Sequence, residues 1–261
     1  MNWPRQITAL SACRPPWRSG AAAKVARVAV LLFVVGATLP PSAMAQKASV
    51  KPGINKSFED ANVEAFVKRF ETESREAYRY RCAIVAATGV EPGMEVADIG
   101  AGTGLFTRMF SDQLAENGRV YAVDISNNFL DHIRREREKA GRSNVVPVHC
   151  DQHSTALEEG SIDLAFVCDT YHHFEFPQDT LASIHRALRP DGTLFVIDFR
   201  RIQGVTRSWI LGHVRCGKGT VTDEIKDAGF ELVAEIPLMK EQYVLKFKKR
   251  PADTGKKAGE N

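Results

Sequence analysis

Acidic residues are missing from the first 58 positions of this 261-residue sequence, where Arg5, Arg14, Arg18, Lys24 and Arg27 stand unopposed. The apolar run that follows them, Val28 to Leu39, is too short to span a bilayer comfortably. No Arg-Arg pair precedes it, so nothing supports a twin-arginine export route. Cysteine is sparse: Cys13, Cys82, Cys150, Cys168 and Cys216 show neither CxxC nor Cys/His metal spacing. That argues against a zinc-finger module or a thioredoxin-like motif. Cys150 and Cys168 each end an apolar run and read as small buried thiols. No repeat, low-complexity tract or collagen-like period is visible, which leaves an ordinary globular domain.

What is present at the start has the order of an export signal. A basic region and the apolar run are followed by Pro40-Pro41-Ser42 and then Ala43-Met44-Ala45. Residues 1–45 are therefore expected to be a signal peptide cleaved after Ala45, giving an exported, periplasmic or secreted protein. An uncleaved membrane anchor is the alternative. Five of the 35 basic residues and none of the 32 acids fall before Gln46, which leaves 30 against 32, a net charge of −2. The chain's apparent basicity thus belongs to the leader and gives no argument for nucleic-acid binding.

Residues 46–57 read as a flexible mature terminus, 58–249 as one domain, and 250–261 as a disordered basic tail. Val63, Phe66, Val67 and Phe70 recur at helical steps, and a second helix is expected from Arg75 to Thr88, stopped by Gly89. Strands and helices then alternate. Strands are read at 94–99, 119–123, 145–148, 162–168 and 193–198, with helices at 105–115, 127–140 and 179–188 between them. Ser126 is the expected N-cap of the 127–140 helix. Pro147 suits an edge strand, and the almost wholly apolar 162–168 suits a central parallel one. Arg189-Pro190-Asp191-Gly192 reads as a turn. A helix at 222–228 precedes two strands, 230–236 and 242–247, whose short link implies an antiparallel pair. Repeated strand–helix units require a mostly parallel sheet with helices on both faces, an α/β fold.

The strongest local signal is Asp98-Ile99-Gly100-Ala101-Gly102-Thr103-Gly104, between the first strand and its helix. Glycines there let a ligand approach the backbone, free N–H groups to point outward, and place a helix N-terminus beyond. A dinucleotide fingerprint would need glycine at 105, where this chain has Leu105. Asp98 would also repel a pyrophosphate but attract the ammonium of an amino acid. Asp124 ends the second strand, where a carboxylate can accept from both ribose hydroxyls; a helix N-terminal charge is the alternative, but its place after Val120-Tyr121-Ala122-Val123 argues for a ligand. Asp151, with Gln152 beside it, can accept from an adenine amino group or can simply close a solvated turn. Asp169-Thr170-Tyr171-His172-His173-Phe174 follows the fourth strand, at the carboxyl end where such folds present ligand-facing groups. His172 or His173 could accept a proton near neutral pH. The pair, with Asp169 and Glu175, also has metal-binding chemistry, but no distant ligand is identifiable, so no metal site is expected. Arg75, Tyr78 and Tyr80 could face substrate or solvent. Arg200, Arg201 and Arg207 form a basic stretch suited to an acidic substrate or to a solvated loop.

Together these segments resemble the class I, Rossmann-like methyltransferase family that uses S-adenosylmethionine. The resemblance rests on DIGAGTG at 98–104, AVD at 122–124, the acid at 151, CDTYHHF at 168–174 and LRPDGTL at 188–194. It implies a three-layer sandwich with seven strands in the order 3-2-1-4-5-7-6, strand 7 antiparallel, and a lid built from the helices at 60–88. It further implies that Gly100 and Gly102 shape a methionine pocket, that Asp124 holds ribose and that Asp151 contacts adenine. The expected cofactor set is Asp98, Gly100, Ala101, Gly102, Gly104, Asp124, Ile125, Asp151, Gln152 and Asp169; the catalytic candidates are His172 and His173. The expected function is methyl transfer from S-adenosylmethionine to a small-molecule acceptor. The alternatives are an exported, non-catalytic nucleoside-binding protein and an NAD(P)-dependent oxidoreductase, which Asp98 and Leu105 oppose.

Overall fold

The computed structural model describes residues 46–250, so the expected signal peptide and all but the first residue of the basic tail lie outside the described residues. Seven strands form one sheet in the order β3-β2-β1-β4-β5-β7-β6. They are β1 (Glu95–Ile99), β2 (Arg119–Asp124), β3 (Val145–His149), β4 (Ile162–Cys168), β5 (Leu188–Phe199), β6 (Phe230–Glu235) and β7 (Gln242–Lys249). The pairs from β3 to β5 are parallel, and β7 runs antiparallel to both β5 and β6. This is the expected order. Pro147 stands on the edge strand β3, opposite Ala122, and β4 is central.

Alternation along the central strands builds two layers of helices. Ala97, Ile99, Ala165 and Val167 point to one face. There they join Leu181 and Ile184 of α7 (Pro177–Ala187) and Val221 and Ile225 of α9 (Lys218–Asp227) in the main apolar cluster. Phe166 points to the other face. Its ring meets Phe106 and Phe110 of α5 (Leu105–Leu114) at 4.9 and 5.1 Å. Phe166 is fully buried, and truncating it to alanine should cost about 3–5 kcal/mol. The helix α6 (Asn127–Ala140) packs on β2 and β3 on the same side.

Several boundaries differ from the expectation. The 75–88 helix is two pieces, α3 (Glu76–Arg79) and α4 (Arg81–Thr88), divided at Tyr80. Residues 189–192 lie within β5 as a bulge: Leu188 pairs with Ile162, but the next partner, Leu164, meets Thr193. Ser126 precedes α6 without capping it, and its buried hydroxyl makes no hydrogen bond. Residues 46–57 are bound to the body along Glu175. Its carboxylate accepts from Ser49 Oγ (2.7 Å) and Gly53 N (3.0 Å), and its carbonyl accepts from Val50 N (2.9 Å). The short helix α1 (Lys56–Glu59) then leads into α2 (Val63–Phe70).

Candidate functional site

A cavity of about 760 Å³ opens at the carboxyl ends of β1, β2, β4 and β5. Asp98, Gly100, Ala101, Gly102, Asp124, Ile125, Asp151, Gln152, Asp169, His172 and His173 all line it, so every expected site residue but one is brought together. The exception is Gly104. It begins α5 at φ +76°, and a Cβ there would lie 2.9 Å from Ile133 of α6. Its role is helix packing, away from the cavity.

The glycine bend closes inward. Gly100 N and Ala101 N both donate to Val123 O (2.8 and 3.1 Å), Gly102 N donates to Asp124 Oδ2 (2.8 Å) and Gly104 N to Ala101 O (2.9 Å). The N–H groups expected to point outward are therefore spent on β2 and on the bend itself. A phosphate would find few donors here. Gly100 is sterically required: with φ +72°, an added Cβ would sit 2.2 Å from Thr170 Cγ2.

Two buried carboxylates frame the bend. Asp98 accepts a 2.6 Å hydrogen bond from Thr107 Oγ1, and burial pushes its carboxyl up to about 7. Asp124 accepts from Gly102 N through one oxygen and from Ser126 N through the other (2.8 Å each). Burial still pushes it up to about 6, against the pull of those N–H groups. Both acids thus lack the compensation a closely paired cation would give, and both retain lone pairs for a donor. Asp151 is exposed at the cavity edge; its Oδ1 closes a turn by accepting from His153 N and Ser154 N (2.8 and 2.7 Å).

The opposite wall is assembled after β4. Asp169, in the left-handed region at φ +52°, forms an ion pair with Arg75 and accepts from Gln242 Nε2. Arg75 also lies over the ring of Phe70, 4.5 Å from its centroid, so the linker after α2 is tied to this wall. A single 3₁₀ turn, Tyr171–His173, follows. His172 is buried, with Nδ1 2.8 Å from Asp198 Oδ1 while its backbone N donates to Asp198 Oδ2 (2.9 Å). His173 Nε2 is 3.3 Å from His213 Nε2, at the end of α8 (Ser208–His213). Burial, with neighbouring His172 and His213, lowers His173 to about 2. An imidazole so weakly basic is a poor proton acceptor near neutral pH.

Phe66, Phe70 and Tyr78 line the cavity from the 60–88 segment, and Glu71 fastens that segment to the bend. Glu71 accepts from Thr103 Oγ1 (2.8 Å) and from Arg108 (2.7 Å). Tyr80 is exposed. The basic stretch after β5 is already paired: Arg200 with Glu235, Arg207 with Glu241, and Arg201 with the carbonyls of Leu211 and Val214. Of the three, Arg207 alone lines the cavity. Cys150 and Cys168 are free thiols at the cavity wall, both raised in pKa by burial. Asp198, His213, Gln242 and Glu71 do not stand out in the sequence. Each reaches the site from an element distant in the chain, a signal no local pattern carries.

Residues 97–196 match a family model described as a methyltransferase domain. Over 119 residues the chain is 30% identical to the ubiquinone/menaquinone biosynthesis C-methyltransferase UbiE of Ectopseudomonas mendocina (strain ymp), covering 45% of this chain and 46% of that one. The chain thus spans less than half the length of such curated relatives. An S-adenosylmethionine-dependent methyltransferase from Aquifex aeolicus superimposes with a TM-score of 0.65 at 21% identity, over 72% of this chain and 99% of that one. The [4+2]-cyclase SpnF superimposes with a TM-score of 0.58 at 15% identity, over 67% and 81%. A scaffold shared by a methyltransferase and a cyclase leaves the chemistry to the site. The described body has the Rossmann-like fold of the S-adenosylmethionine-dependent methyltransferases.

Proposed function

We propose that this protein transfers a methyl group from S-adenosylmethionine to a small-molecule acceptor bound in the same cavity. The observation that carries this reading is the pair of buried strand-end acids, Asp98 and Asp124, on either side of a bend whose N–H groups are already used. Such a frame suits an ammonium and a pair of hydroxyls, and it disfavours a pyrophosphate.

The residues present fit this cofactor. Asp98 and the bend at Gly100–Gly102 would hold the amino-acid end, Asp124 and Ile125 the ribose, and Asp151 with Gln152 the adenine. The bound cofactor supplies an electrophilic methyl on a sulfonium. What remains for the protein is to align the acceptor, exclude water and take up any proton the acceptor loses. The aromatic side chains of the 60–88 segment cover the cavity, and the histidines at 172, 173 and 213 mark the acceptor side. The match to a methyltransferase domain over 97–196 supports the same reading.

The order of basic region, apolar run and Ala43-Met44-Ala45 supports export, with residues 1–45 removed. The decisive experiment is calorimetry with S-adenosylmethionine and S-adenosylhomocysteine, followed by a screen of small metabolites with labelled donor. Absence of binding to both would overturn the proposal. Binding without turnover on any acceptor would favour the nucleoside-binding alternative.

A further inference from the structure

Three histidines meet on the acceptor wall, and a buried carboxylate stands behind one of them. One ring nitrogen from each of His172, His173 and His213 lies within 4.8 Å of the others. The 3.3 Å between His173 Nε2 and His213 Nε2 is about the edge of a tetrahedron drawn with metal–nitrogen bonds of roughly 2.0–2.1 Å. His172 gives Nδ1 to Asp198, a pairing that fixes the tautomer and makes the other ring nitrogen a better donor. His173 Nδ1 is buried without a hydrogen-bond partner, so the protein leaves part of this ring's capacity unused.

The surroundings hold the three rings in place. Phe58 packs its ring edge-on to His173 at 4.9 Å, and Asn55 Nδ2 donates to the His173 carbonyl (3.1 Å). Lys51 Nζ donates to the carbonyls of Gly212 and His213, pinning the end of α8. Trp209 and Phe199 flank the group and give it apolar neighbours. Both line the cavity, as do all three histidines.

We propose that His172, His173 and His213 bind one divalent transition-metal ion, with the fourth coordination position open to the cavity. Three imidazoles of borderline softness select zinc and its neighbours over magnesium or calcium. Three protein ligands with one open position is the arrangement of a reactive zinc, whereas a structural zinc is fully enclosed. All three donors are neutral, so the ion's charge favours an anion in the open position. The acceptor class that follows, resting on the methyl-transfer reading above, is a compound with an ionisable hydroxyl or thiol. Coordination lowers that group's pKa and its proton leaves to solvent. The freed lone pair forms the new bond to the methyl carbon, and the pair of the broken carbon–sulfur bond returns to sulfur.

The test uses the full chain made without a polyhistidine tag and stripped with chelator. Cobalt(II) titration is followed by visible absorption, and zinc(II) titration by calorimetry. One ion per chain with a tetrahedral cobalt spectrum is expected. His213→Gln and His173→Gln should each weaken binding by at least about tenfold, with S-adenosylhomocysteine affinity and thermal midpoint held close to wild type. No stoichiometric uptake, or uptake that survives in both variants, overturns the proposal. Histidine-dependent cobalt binding in a protein that binds no S-adenosylhomocysteine would uphold the metal site and refute the methyl-transfer reading alone.

Discussion

The two walls of the cavity are built by different means. The wall at β1 and β2 comes from a contiguous bend and two strand ends, with Asp98 and Asp124 only 26 positions apart in the chain. The wall after β4 is gathered from Lys51, Arg75, His172, Asp198, His213 and Gln242, on separate elements spread over most of the domain. The first is a local device that a strand–turn–helix unit makes by itself. The second exists only once the sheet, α8 and the N-terminal segment have come together. A local device tends to keep its chemistry while the assembled wall is free to change its acceptor.

Among the cavity residues, substitution should do most harm at the seam between the walls. Gly100→Ala would place a methyl against Thr170 and force a non-glycine residue to φ +72°, at an expected cost of about 2–4 kcal/mol. The measurement is denaturant unfolding of Gly100→Ala, Thr170→Gly and the double variant. Recovery of roughly 1 kcal/mol or more in the double variant is expected; strict additivity would deny the contact. Next in size, Asp124→Ala should weaken S-adenosylhomocysteine binding by on the order of 100-fold. Calorimetry showing unchanged affinity would remove Asp124 from the cofactor wall.

Asp198→Asn addresses the other wall. It should lower metal affinity or turnover roughly 10–100-fold through the misoriented His172, with cofactor affinity nearly unchanged. A matching loss of cofactor affinity would show that the two walls do not act separately. The smallest effect is on pH dependence. Asp98 must be ionised to attract an ammonium, and burial holds it at about 7. Binding should therefore be full near pH 8 and roughly tenfold weaker at pH 6, with Asp98→Asn weak and nearly pH-independent between them. For the folded protein without ligand the sign is opposite. A carboxyl raised above its unfolded value disfavours folding as pH climbs from about 4 to about 7, so Asp98→Asn should stabilise the apo protein near pH 8.

Much of the first wall is legible in the amino-acid sequence. Apolar strand-like runs, helical steps and the acid-headed glycine bend are short-range patterns, and the sheet order follows from the family resemblance they support. Pro147 at an edge and the apolar β4 at the centre illustrate how directly burial writes itself into a strand. The departures have physical causes as well. Gly104 reads as a ligand contact because spacing cannot show that its missing Cβ makes room for Ile133. The bend's N–H groups turn inward because β2 supplies acceptors at Val123 and Asp124, which lie more than 20 positions further along the chain. The paired histidines have no metal-ligand partner at any recognisable spacing, and His213 becomes their neighbour only through α8, a six-residue helix with no long period to announce it. Residues 46–57 look like a tail in composition, yet Glu175 offers their backbone and Ser49 a buried carboxylate.

The bonding of Glu175 to that early segment ties the stretch just beyond the proposed cleavage point to the cavity wall, which Asn55 and Glu175 both line. Trimming the chain back to its first regular helix would strip Lys51 and Asn55 from the histidine wall. An affinity label joined directly to Gln46 would sit beside Asp179, whose carboxylate accepts from the Gln46 backbone N (2.9 Å). Heterologous production is therefore best served by a carboxyl-terminal label or by a scar-free amino terminus.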